Sequence, residues 1–397
     1  MIVIPNEVEK YPIGQQDFRV LREDGNIYVD KTMFIHKLNI SSVKYFFLAR
    51  PRRFGKSLFL STLRYFYEGR RELFENLYID STDWNWEEYP VLRLDLNTER
   101  YAEPGKLEEV LGNLFKGWEK KYNIDDVSGS YSQRFNNIIS AAHEDTGRKV
   151  VILVDEYDKP LVGNLNNIDN FNHYRSQLAS LYSNFKSSAE HIQLVFLTGV
   201  SRFSKLSVFS DLNNIMDISF SNEYADICGI TERELCHYFQ RGISKFAEKE
   251  GVDYEGACKL LKKNYDGYKF ASEGSEIYNP WSLLNAMYES KIGNYWNETG
   301  MPTLIAESLK RVGADLKKTF DSYCKDSDLK GLDLLNPNPT ALLYQTGYLT
   351  IKRYSRRLKQ YKLGIPNLEV KYGLFNVLLP YYVKCKTGTP SLQVGDA

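Results

Sequence analysis

The sequence predicts an α/β fold in which helices cover both faces of a mostly parallel sheet. Mainly apolar runs of strand length occur at 43–49, 150–154 and 192–197, of which 150–154 is continuous, and segments with apolar residues at helical spacing separate them. Buried parallel strands have such sequences, and their alternation with helices is typical of this fold class. A Gly-Lys-Ser tripeptide follows the first run closely, at 55–57. In the core of P-loop NTPases, the phosphate-binding loop occupies that place between a strand and a helix.

The order of the elements supports this prediction. The strand at 43–49 leads into the loop, and a helix then runs from about residue 57 to Gly69, a residue type that commonly ends helices. Alternating residues at 91–96 predict the second strand. The further predicted elements are a helix through 107–118, strands at 150–154 and 192–197, a helix through 178–185 and a candidate fifth strand at 215–220.

Helices dominate the sequence after about residue 225. Thr231 and Glu234 have the spacing of a capping box, and Asn279 precedes a proline at the expected start of another helix. A strand is expected at 342–351 and a last helix at 370–381. We therefore expect three regions, which are a P-loop core at 1–225, a helical lid at 226–300 and a small mixed α/β region with a loose tail at 301–397.

The composition narrows the class of protein. Lys and Arg together number 51, as do Asp and Glu, so the net charge of zero gives no overall attraction to nucleic acid or to an anionic membrane. No segment reaches the ~20 apolar residues that span a bilayer. The five cysteines form no C-x-x-C pair, and the N-terminus has no recognisable secretory signal. These features predict a protein of the reducing cytoplasm.

The tripeptide Gly55-Lys56-Ser57 predicts binding of ATP or a related nucleotide. In a P-loop, backbone N–H groups and the N-terminus of the next helix face the phosphates. Lys56 would reach the β- and γ-phosphates, the Ser57 hydroxyl would bind Mg²⁺, and Gly55 would let the backbone approach the phosphates closely. The alternative is an exposed helix start that is Gly-Lys-Ser by coincidence.

The end of the run at 150–154 supplies a second part of such a site. Asp155 and Glu156 follow five apolar residues, which is the Walker B arrangement. Asp155 would hold Mg²⁺, and Glu156 would polarise the attacking water, so Glu156 and Lys56 are the candidate catalytic residues. The alternative is that Asp155 caps the next turn and Glu156 is a solvated acid. The two motifs, in this order on alternating strands and helices, favour the nucleotide site.

Three arginines distinguish this loop from the general pattern G-x-x-x-x-G-K-[ST]. Arg50 stands in place of the first glycine, and Arg52 and Arg53 add two further charges. Loss of the glycine could weaken the phosphate cradle, or the guanidinium groups could pair with the triphosphate. A third alternative directs them outward, toward another subunit or a nucleic acid. The sequence leaves these alternatives open.

The strand at 192–197 leads into polar residues that suit a γ-phosphate sensor. Thr198 would occupy the sensor position, and Arg202 could act as an arginine finger in cis. For Arg202, a place on the surface or between domains is an equal alternative. The predicted nucleotide contacts are Arg50, Pro51, Arg52, Arg53, Phe54, Gly55, Lys56, Ser57, Leu58, Thr198 and Arg202.

Seven motifs together resemble a known family. They are Y-V-D-K-T at 28–32, the loop at 50–57, V-D-E-Y-D-K-P at 154–160, T-G-V-S-R-F at 198–203, Y-D-G-Y at 265–268, Y-N-P-W at 278–281 and L-Y-Q-T-G-Y-L at 343–349. The chain resembles the bacterial AAA-ATPase-like proteins that usually carry a C-terminal PD-(D/E)XK nuclease domain. The resemblance runs from about Tyr11 to about Lys384. It implies that the Arg-rich loop is the family's own form of Walker A, in an ATPase-like core followed by a helical lid.

A nuclease function is not expected of this chain. The resemblance would place the nuclease domain near or after Tyr381, close to where the chain ends. Glu369-Val370-Lys371 matches the nuclease tripeptide but lies in a segment of helical period, without the preceding hairpin that a nuclease site needs. The chain is therefore expected to lack the nuclease domain.

We expect an ATP-binding hydrolase in which slow, Mg²⁺-dependent ATP hydrolysis drives a conformational change between core and lid. One alternative is a nucleotide-gated switch or scaffold that does not hydrolyse ATP. Another is nucleic-acid engagement through the arginine loop or the basic segment Lys352–Lys362, for which a solvated surface is the simpler interpretation. Self-association is a further expectation for partners, and a membrane is not expected.

Overall fold

A five-stranded parallel sheet forms the centre of the molecule. The computed structural model describes residues 9–202, 214–296, 308–309, 323–333 and 335–382. The strands are β1 (Tyr45–Ala49), β2 (Val91–Asp95), β3 (Val150–Asp155), β4 (Ile192–Gly199) and β5 (Met216–Asp217). Their order across the sheet is β2-β3-β4-β1-β5, and every neighbouring pair is parallel. The predicted α/β core is therefore confirmed.

The strand order reverses at β1. From β1 the chain crosses to β2 at the far edge and returns through β3 to β4, which pairs with β1. The short strand β5 then pairs with the other side of β1. In open parallel sheets, ligands bind outside the carboxyl ends of the strands at such a reversal. The loop that follows β1 lies at this point.

Helices connect and cover the strands. Helix α3 follows the loop and buries apolar residues such as Leu60, Leu63 and Phe66. The helices of this part are α1 (Phe18–Glu23), α2 (Thr32–Ile40), α3 (Lys56–Tyr67), α4 (Lys106–Lys121), α5 (Tyr131–Thr146), α6 (Lys159–Val162) and α7 (Ile168–Ser187). The sequence analysis did not predict α1 or α5, although Ser130 and Gln133 form a capping box at the start of α5.

The second half of the chain is mainly helical and contains two small antiparallel sheets, β6-β7 and β8-β10-β9. The predicted capping box is present, since the Thr231 hydroxyl accepts a hydrogen bond from the Glu234 backbone N–H. The Asn279 side chain likewise caps a helix that begins at Pro280. The elements are β6 (Ile230–Thr231), α8 (Glu232–Tyr238), α9 (Gln240–Glu250), α10 (Tyr254–Tyr265), β7 (Ile277–Tyr278), α11 (Pro280–Glu289), β8 (Tyr323–Lys325), α12 (Asp326–Lys330), α13 (Pro339–Gln345), β9 (Thr350–Ser355), β10 (Gln360–Gly364) and α14 (Leu368–Tyr382).

The strand predicted at 342–351 is wrong over its first half. Residues Pro339–Gln345 form a helix that the Asn338 side chain caps, and the strand begins only at Thr350. Leu342, Leu343 and Tyr344 are all buried. A short apolar run has the same appearance in a buried helix as in a buried strand, which explains the error.

Buried apolar residues form two clusters. One surrounds the parallel sheet and continues into C-terminal residues such as Phe270, Trp296 and Leu343. The other lies within 230–287 and gives the predicted lid a hydrophobic core of its own. The division into regions at 1–225, 226–300 and 301–397 stays a prediction. Among the described helices, none has the length and hydropathy that a membrane crossing requires.

Candidate nucleotide-binding site

The loop between β1 and α3 directs the start of a helix at an open cleft. Gly55 has φ of 93°, a conformation that side-chain-bearing residues avoid, and Lys56 and Ser57 begin the helix directly after it. The first N–H groups of a helix have no partner within the helix. Here they are available to an anion at the carboxyl edge of the sheet, as in a phosphate-binding loop.

The Lys56 ammonium lies inside the curve of this loop. Its Nζ donates to the backbone carbonyls of Arg50 at 3.1 Å and Pro51 at 3.2 Å, and it lies 3.6 Å from Glu156 Oε1. Only 4% of the Lys56 residue is exposed. Three donors on one buried cation can therefore exchange carbonyl partners for the oxygens of a bound phosphate.

The cleft beside Lys56 has a volume of about 390 Å³. It is enclosed by the loop, by the segment 12–16 and by α11 of the predicted lid. The described residues that line the cleft include four basic side chains and one carboxylate, that of Glu156. A lining of this charge suits a polyphosphate. The charged residues are Arg52, Arg53, Lys56, Glu156 and Lys159.

A smaller apolar pocket of about 90 Å³ adjoins the cleft. The two share Gly55, Leu58 and Pro280, so the pocket opens on the helix start beside Lys56. Its walls are mostly aliphatic and aromatic. The predicted lid at 226–300 contributes several of these residues. Residues of these walls include Ile27, Val29, Phe54, Ile227, Ile230 and Phe239. The predicted contact Leu58 thus lies between a cationic and an apolar compartment.

Asp155 is fixed by the neighbouring strand. Its Oδ1 accepts a hydrogen bond from the Thr198 hydroxyl at 2.7 Å, and Arg93 Nη2 lies 3.9 Å from its Oδ2. Thr198 is fully buried and is not among the residues that line the cleft. Thr198 therefore orients Asp155, and its predicted contact with the nucleotide stays a prediction.

The predicted magnesium ligands Ser57 and Asp155 differ in position, since Ser57 lines the cleft, whereas Asp155 is 1% exposed and is not among the lining residues. Magnesium prefers oxygen ligands and is usually held by one or two protein groups, with waters and substrate phosphates completing the shell. Among the described residues, no cluster of three or more His, Cys, Asp or Glu side chains forms a closed metal cage. A hydroxyl and an oriented carboxylate are consistent with this open type of site, and their role as ligands is a proposal.

Glu156 has a backbone conformation that is unusual for its residue type. Its φ is 52°, in the left-handed region, and its side chain is 15% exposed at the cleft. Sparsely populated conformations of this kind cost free energy and cluster at functional sites. The conformation directs the carboxylate toward Lys56, which is the position expected of a residue that acts beside the γ-phosphate.

The residues after Glu156 join the ends of β3 and β4. The Tyr157 hydroxyl donates to the Ser201 carbonyl at 2.7 Å, and the backbone N–H of Ser201 donates to Asp158 Oδ2 at 2.8 Å. Burial, together with the negative charge of Glu156, raises the pKa of Asp158 to about 6. Buried Asp158 thus holds the segment that follows β4. The sequence did not single out this role, although Asp158 lies in the motif at 154–160.

Arg50 does not point into the cleft. Its guanidinium Nη1 donates to the carbonyls of Ala49 and Ser219 at 2.9 and 2.8 Å, and Nη2 donates to those of Tyr224 and Ala225 at 3.2 and 3.4 Å. The residue is 1% exposed, and its guanidinium lies over the Phe270 ring at 4.3 Å. Its guanidinium therefore joins the loop to other segments of the chain.

Other residues in the first half of the loop also contact the C-terminal segments. Phe54 is buried against Tyr268, with ring centroids 4.8 Å apart, and the Arg53 guanidinium lies 4.2 Å from the Trp281 ring. A Cβ on Gly347 would come within 2.9 Å of Pro51, so only glycine permits this close approach. Of the predicted nucleotide contacts, Pro51 is not among the residues that line the cleft, and Phe54 lines only the adjoining apolar pocket.

Arg52 and Arg202 lie in different surroundings. Arg52 lines the cleft, and its backbone carbonyl accepts a hydrogen bond from the Trp296 indole at 3.3 Å. Arg202 is paired with Asp217 of β5 through an Nε–Oδ2 contact of 2.8 Å, and it is not among the residues that line the cleft. The interpretation of Arg202 as an arginine between segments fits this placement better than the finger does.

Motifs that are far apart in sequence meet around the loop. Lys31 of the 28–32 motif forms an ion pair with Glu234 of α8, at 2.7 Å. The motifs at 265–268, 278–281 and 343–349 supply Tyr268, Trp281 and Gly347, the partners of the loop described above. Sequence alone gave no signal for this convergence, because the partners are more than 200 residues from the loop.

The strand order, the loop and the oriented Asp155 define a protein of the P-loop class. A family model described as a predicted AAA-ATPase matches residues 12–209. A protein of Azotobacter chroococcum mcd 1, "Uncharacterized protein in vnfD 5'region", is 37% identical over 379 residues, which cover 94% of this chain and 71% of that protein. The chain belongs to the AAA-ATPase-like family.

One solved structure was also found to be similar. It is the Aeropyrum pernix ORC2 protein, described with ADPNP-ADP complexes, at 12% identity and a TM-score of 0.31, with 95% of this chain and 96% of that chain covered. A similarity at this level does not identify a common fold. The assignment of the P-loop fold rests on the parallel strand order and the loop itself.

Proposed function

We propose that the protein binds Mg²⁺-ATP in the cleft beside Lys56 and hydrolyses it slowly. The observation that carries the proposal is the placement of Lys56, held by two loop carbonyls at the start of α3 and 3.6 Å from Glu156. A cation, a helix start and a carboxylate meet there at the reversal point of a parallel sheet.

Each group has a role that follows from its chemistry. Lys56 would move its hydrogen bonds from the loop carbonyls to the β- and γ-phosphates, and this releases Glu156 to accept a proton from water. Asp155, oriented by Thr198, and the Ser57 hydroxyl would hold Mg²⁺, which would neutralise charge on the phosphates. Arg52, Arg53 and Lys159 add positive charge around the triphosphate.

The apolar pocket fits the base of the nucleotide. It adjoins the cleft at Leu58 and Pro280, and its lining of aliphatic and aromatic side chains favours a flat, weakly polar group. Pro280 and Phe239 belong to the lid, so a bound base would touch core and lid together. This supports coupling between nucleotide binding and the position of the lid, as the sequence predicted.

Phosphate release with purified protein tests the hydrolytic part. We expect slow Mg²⁺-dependent release by the wild type and by Lys245→Ala, which removes an exposed lysine of α9 as a matched control. Lys56→Ala and Glu156→Gln should each lower the rate at least about 100-fold, as loss of a transition-state contact typically does. Equal rates in wild type and Glu156→Gln would contradict hydrolysis at this site.

A nucleotide-gated switch is the second candidate. The observation that favours it is the ion pair between Glu156 and Lys56. In this pair the candidate general base, Glu156, is engaged by Lys56 instead of being free to bind a water molecule. The switch predicts that ATP raises the melting temperature in proportion to binding while no phosphate is released. Binding without turnover, unchanged by Glu156→Gln, would therefore favour the switch over the ATPase.

A further inference from the structure

The C-terminal sheet presents a basic outer face. Residues 350–364 contain six basic side chains and no acidic one, although the whole chain has zero net charge. The strands β9 and β10 of this segment pair with each other, and β8 pairs with the other edge of β10. The segment is therefore a structured hairpin within a three-stranded antiparallel sheet, which gives its charges fixed positions.

The strand register places one aromatic and two basic residues in a single row. Lys362 pairs with Tyr323 on one side and with Arg353 on the other. Gln360 pairs with Lys325 and Ser355 in the next row on the same face. Cys324, Tyr361 and Leu363 alternate with these residues and are buried. The polar row thus faces solvent while the opposite face packs against the molecule.

The cations of this face are available to a partner. Arg353, Arg357, Lys359 and Lys325 are exposed, and none of them forms an ion pair with another described residue. The neighbouring acids are already engaged, since Asp326 pairs with Lys330 and accepts from the Tyr361 hydroxyl. Asp328 caps the backbone N–H of Lys325. Of the turn residues, Arg356 alone pairs with an acid, Glu273.

An exposed aromatic ring accompanies the charges. Tyr323 is 58% exposed, and the Lys362 ammonium lies 5.9 Å from its ring centroid. Leu358 at the tip of the hairpin is 60% exposed. Exposed aromatic rings on a flat sheet with cations around them are the arrangement on which unpaired bases stack while phosphates are neutralised.

We infer that the outer face of the β8-β10-β9 sheet binds single-stranded nucleic acid. Arg353, Lys362 and Lys325 contact phosphates, and Tyr323 stacks on a base. The arginines of the phosphate loop do not take part, because Arg50 is buried, Arg52 lines the nucleotide cleft and Arg53 lies over Trp281. This site is separate from the nucleotide cleft and does not depend on ATP.

Fluorescence anisotropy with the full chain tests this inference. Labelled oligonucleotides of about 20 nucleotides, as single-stranded DNA, single-stranded RNA and duplex DNA, are titrated without ATP between about 50 and 200 mM salt. We expect both single strands to bind at least about 10-fold more tightly than the duplex. The logarithm of the affinity should fall with the logarithm of the salt concentration with a slope of about −2, because three phosphate contacts contribute about −0.7 each. The relative affinity for DNA and RNA identifies the preferred strand.

Two kinds of variant separate charge from stacking. Arg353→Ala with Lys362→Ala should lower the affinity about 10-fold and make the salt slope shallower by about 1.4. Tyr323→Ala should lower the affinity about 10-fold without changing the slope, because stacking releases no counterions. The matched control, Arg241→Ala with Lys245→Ala, removes two exposed cations from α9 and should leave binding unchanged.

Four results would overturn the inference. They are no binding at about 50 mM salt, duplex binding as tight as single-strand binding, an equal loss in the control pair, and full competition by poly-glutamate at equal charge. Circular dichroism checks that each variant is folded. Lys56→Ala should bind the oligonucleotides like the wild type, so failure of this site and failure of the proposed ATP site remain distinguishable.

Discussion

The two halves of the loop between β1 and α3 have opposite surroundings. Residues 55–57 border an open, cationic cleft, whereas Arg50 and Phe54 are buried among C-terminal residues. The difference teaches that Arg50, which replaces the first glycine of the general P-loop pattern, serves the fold, whereas Arg52 and Arg53 line the cleft. The cleft half carries the chemistry, and the buried half ties the loop to the lid and to the C-terminal region.

Arg50→Met tests the buried half and should have the largest effect. The substitution leaves four backbone carbonyls without their donor, so we expect the free energy of unfolding to fall by about 3–5 kcal/mol. Urea denaturation measures it. The free energy of unfolding of Arg50→Lys should lie between those of the wild type and Arg50→Met, because an ammonium group cannot reach both pairs of carbonyls. A loss below about 1 kcal/mol in Arg50→Met would contradict a structural role.

Lys56→Ala tests the cleft half. We expect ATP affinity to fall about 100-fold, equivalent to about 2.7 kcal/mol, because a charge-assisted contact to phosphate is lost. Calorimetric titration in the presence of Mg²⁺ measures the affinity, with Lys245→Ala as the control. Unchanged affinity would refute the assignment of Lys56 to the phosphates.

The contact between Arg53 and Trp281 lies where the two halves meet. A double-mutant cycle with Arg53→Ala and Trp281→Leu should give a coupling free energy of about 0.5–1 kcal/mol, as expected of a partly exposed cation–π contact. Repeating the cycle with bound ATP shows whether nucleotide binding changes the coupling free energy between Arg53 and Trp281. A coupling of zero in both states would mean that this contact does not join loop and lid.

Glu369 should make the free energy of unfolding depend on pH near the buried half of the loop, because it binds Trp296, whose indole contacts the Arg52 carbonyl. Glu369 Oε1 accepts a hydrogen bond from the backbone N–H of Trp296, and burial raises the pKa of Glu369 to about 7. Between pH 4.5 and 7 the folded state therefore binds more protons than the unfolded state, so this group's contribution to stability falls as pH rises through that range. Glu369→Gln should remove this dependence.

We expect Glu369→Gln to be about 2–3 kcal/mol more stable relative to wild type at pH 8 than at pH 5, because the pKa of Glu369 is raised from 4.5 to about 7. Thermal or urea unfolding at both pH values measures the difference, and the exposed Glu248→Gln is the control. A difference that does not change with pH would show that Glu369 is ionised throughout. The helical position of Glu369 also agrees with the interpretation that its match to a nuclease tripeptide is a coincidence.

Local patterns predicted the core well and its long-range contacts poorly. The apolar runs that became β1, β3 and β4 identified the sheet, because buried parallel strands have a distinctive composition. The same criterion failed at 342–345, where a capped helix is equally apolar.

The candidate site shows the same limit. Lys56 and Glu156 both line the cleft, and the roles that their motifs suggest stay predictions. The partners of Arg50 could not be predicted, because Ser219, Tyr224 and Ala225 follow it by 169 to 175 residues. For a similar reason, no local pattern reveals that the Thr198 hydroxyl donates a hydrogen bond to Asp155.

The most direct test of the account is the thermal shift produced by Mg²⁺-ATP in three proteins. The wild type and Arg50→Lys should both show a melting temperature that rises with ATP concentration, although Arg50→Lys starts lower. Lys56→Ala should also start lower, because two loop carbonyls lose their donor, and it should show no rise at the same concentrations. A full shift in Lys56→Ala, or its loss in Arg50→Lys alone, would contradict the division of the loop into a phosphate-binding half and a structural half.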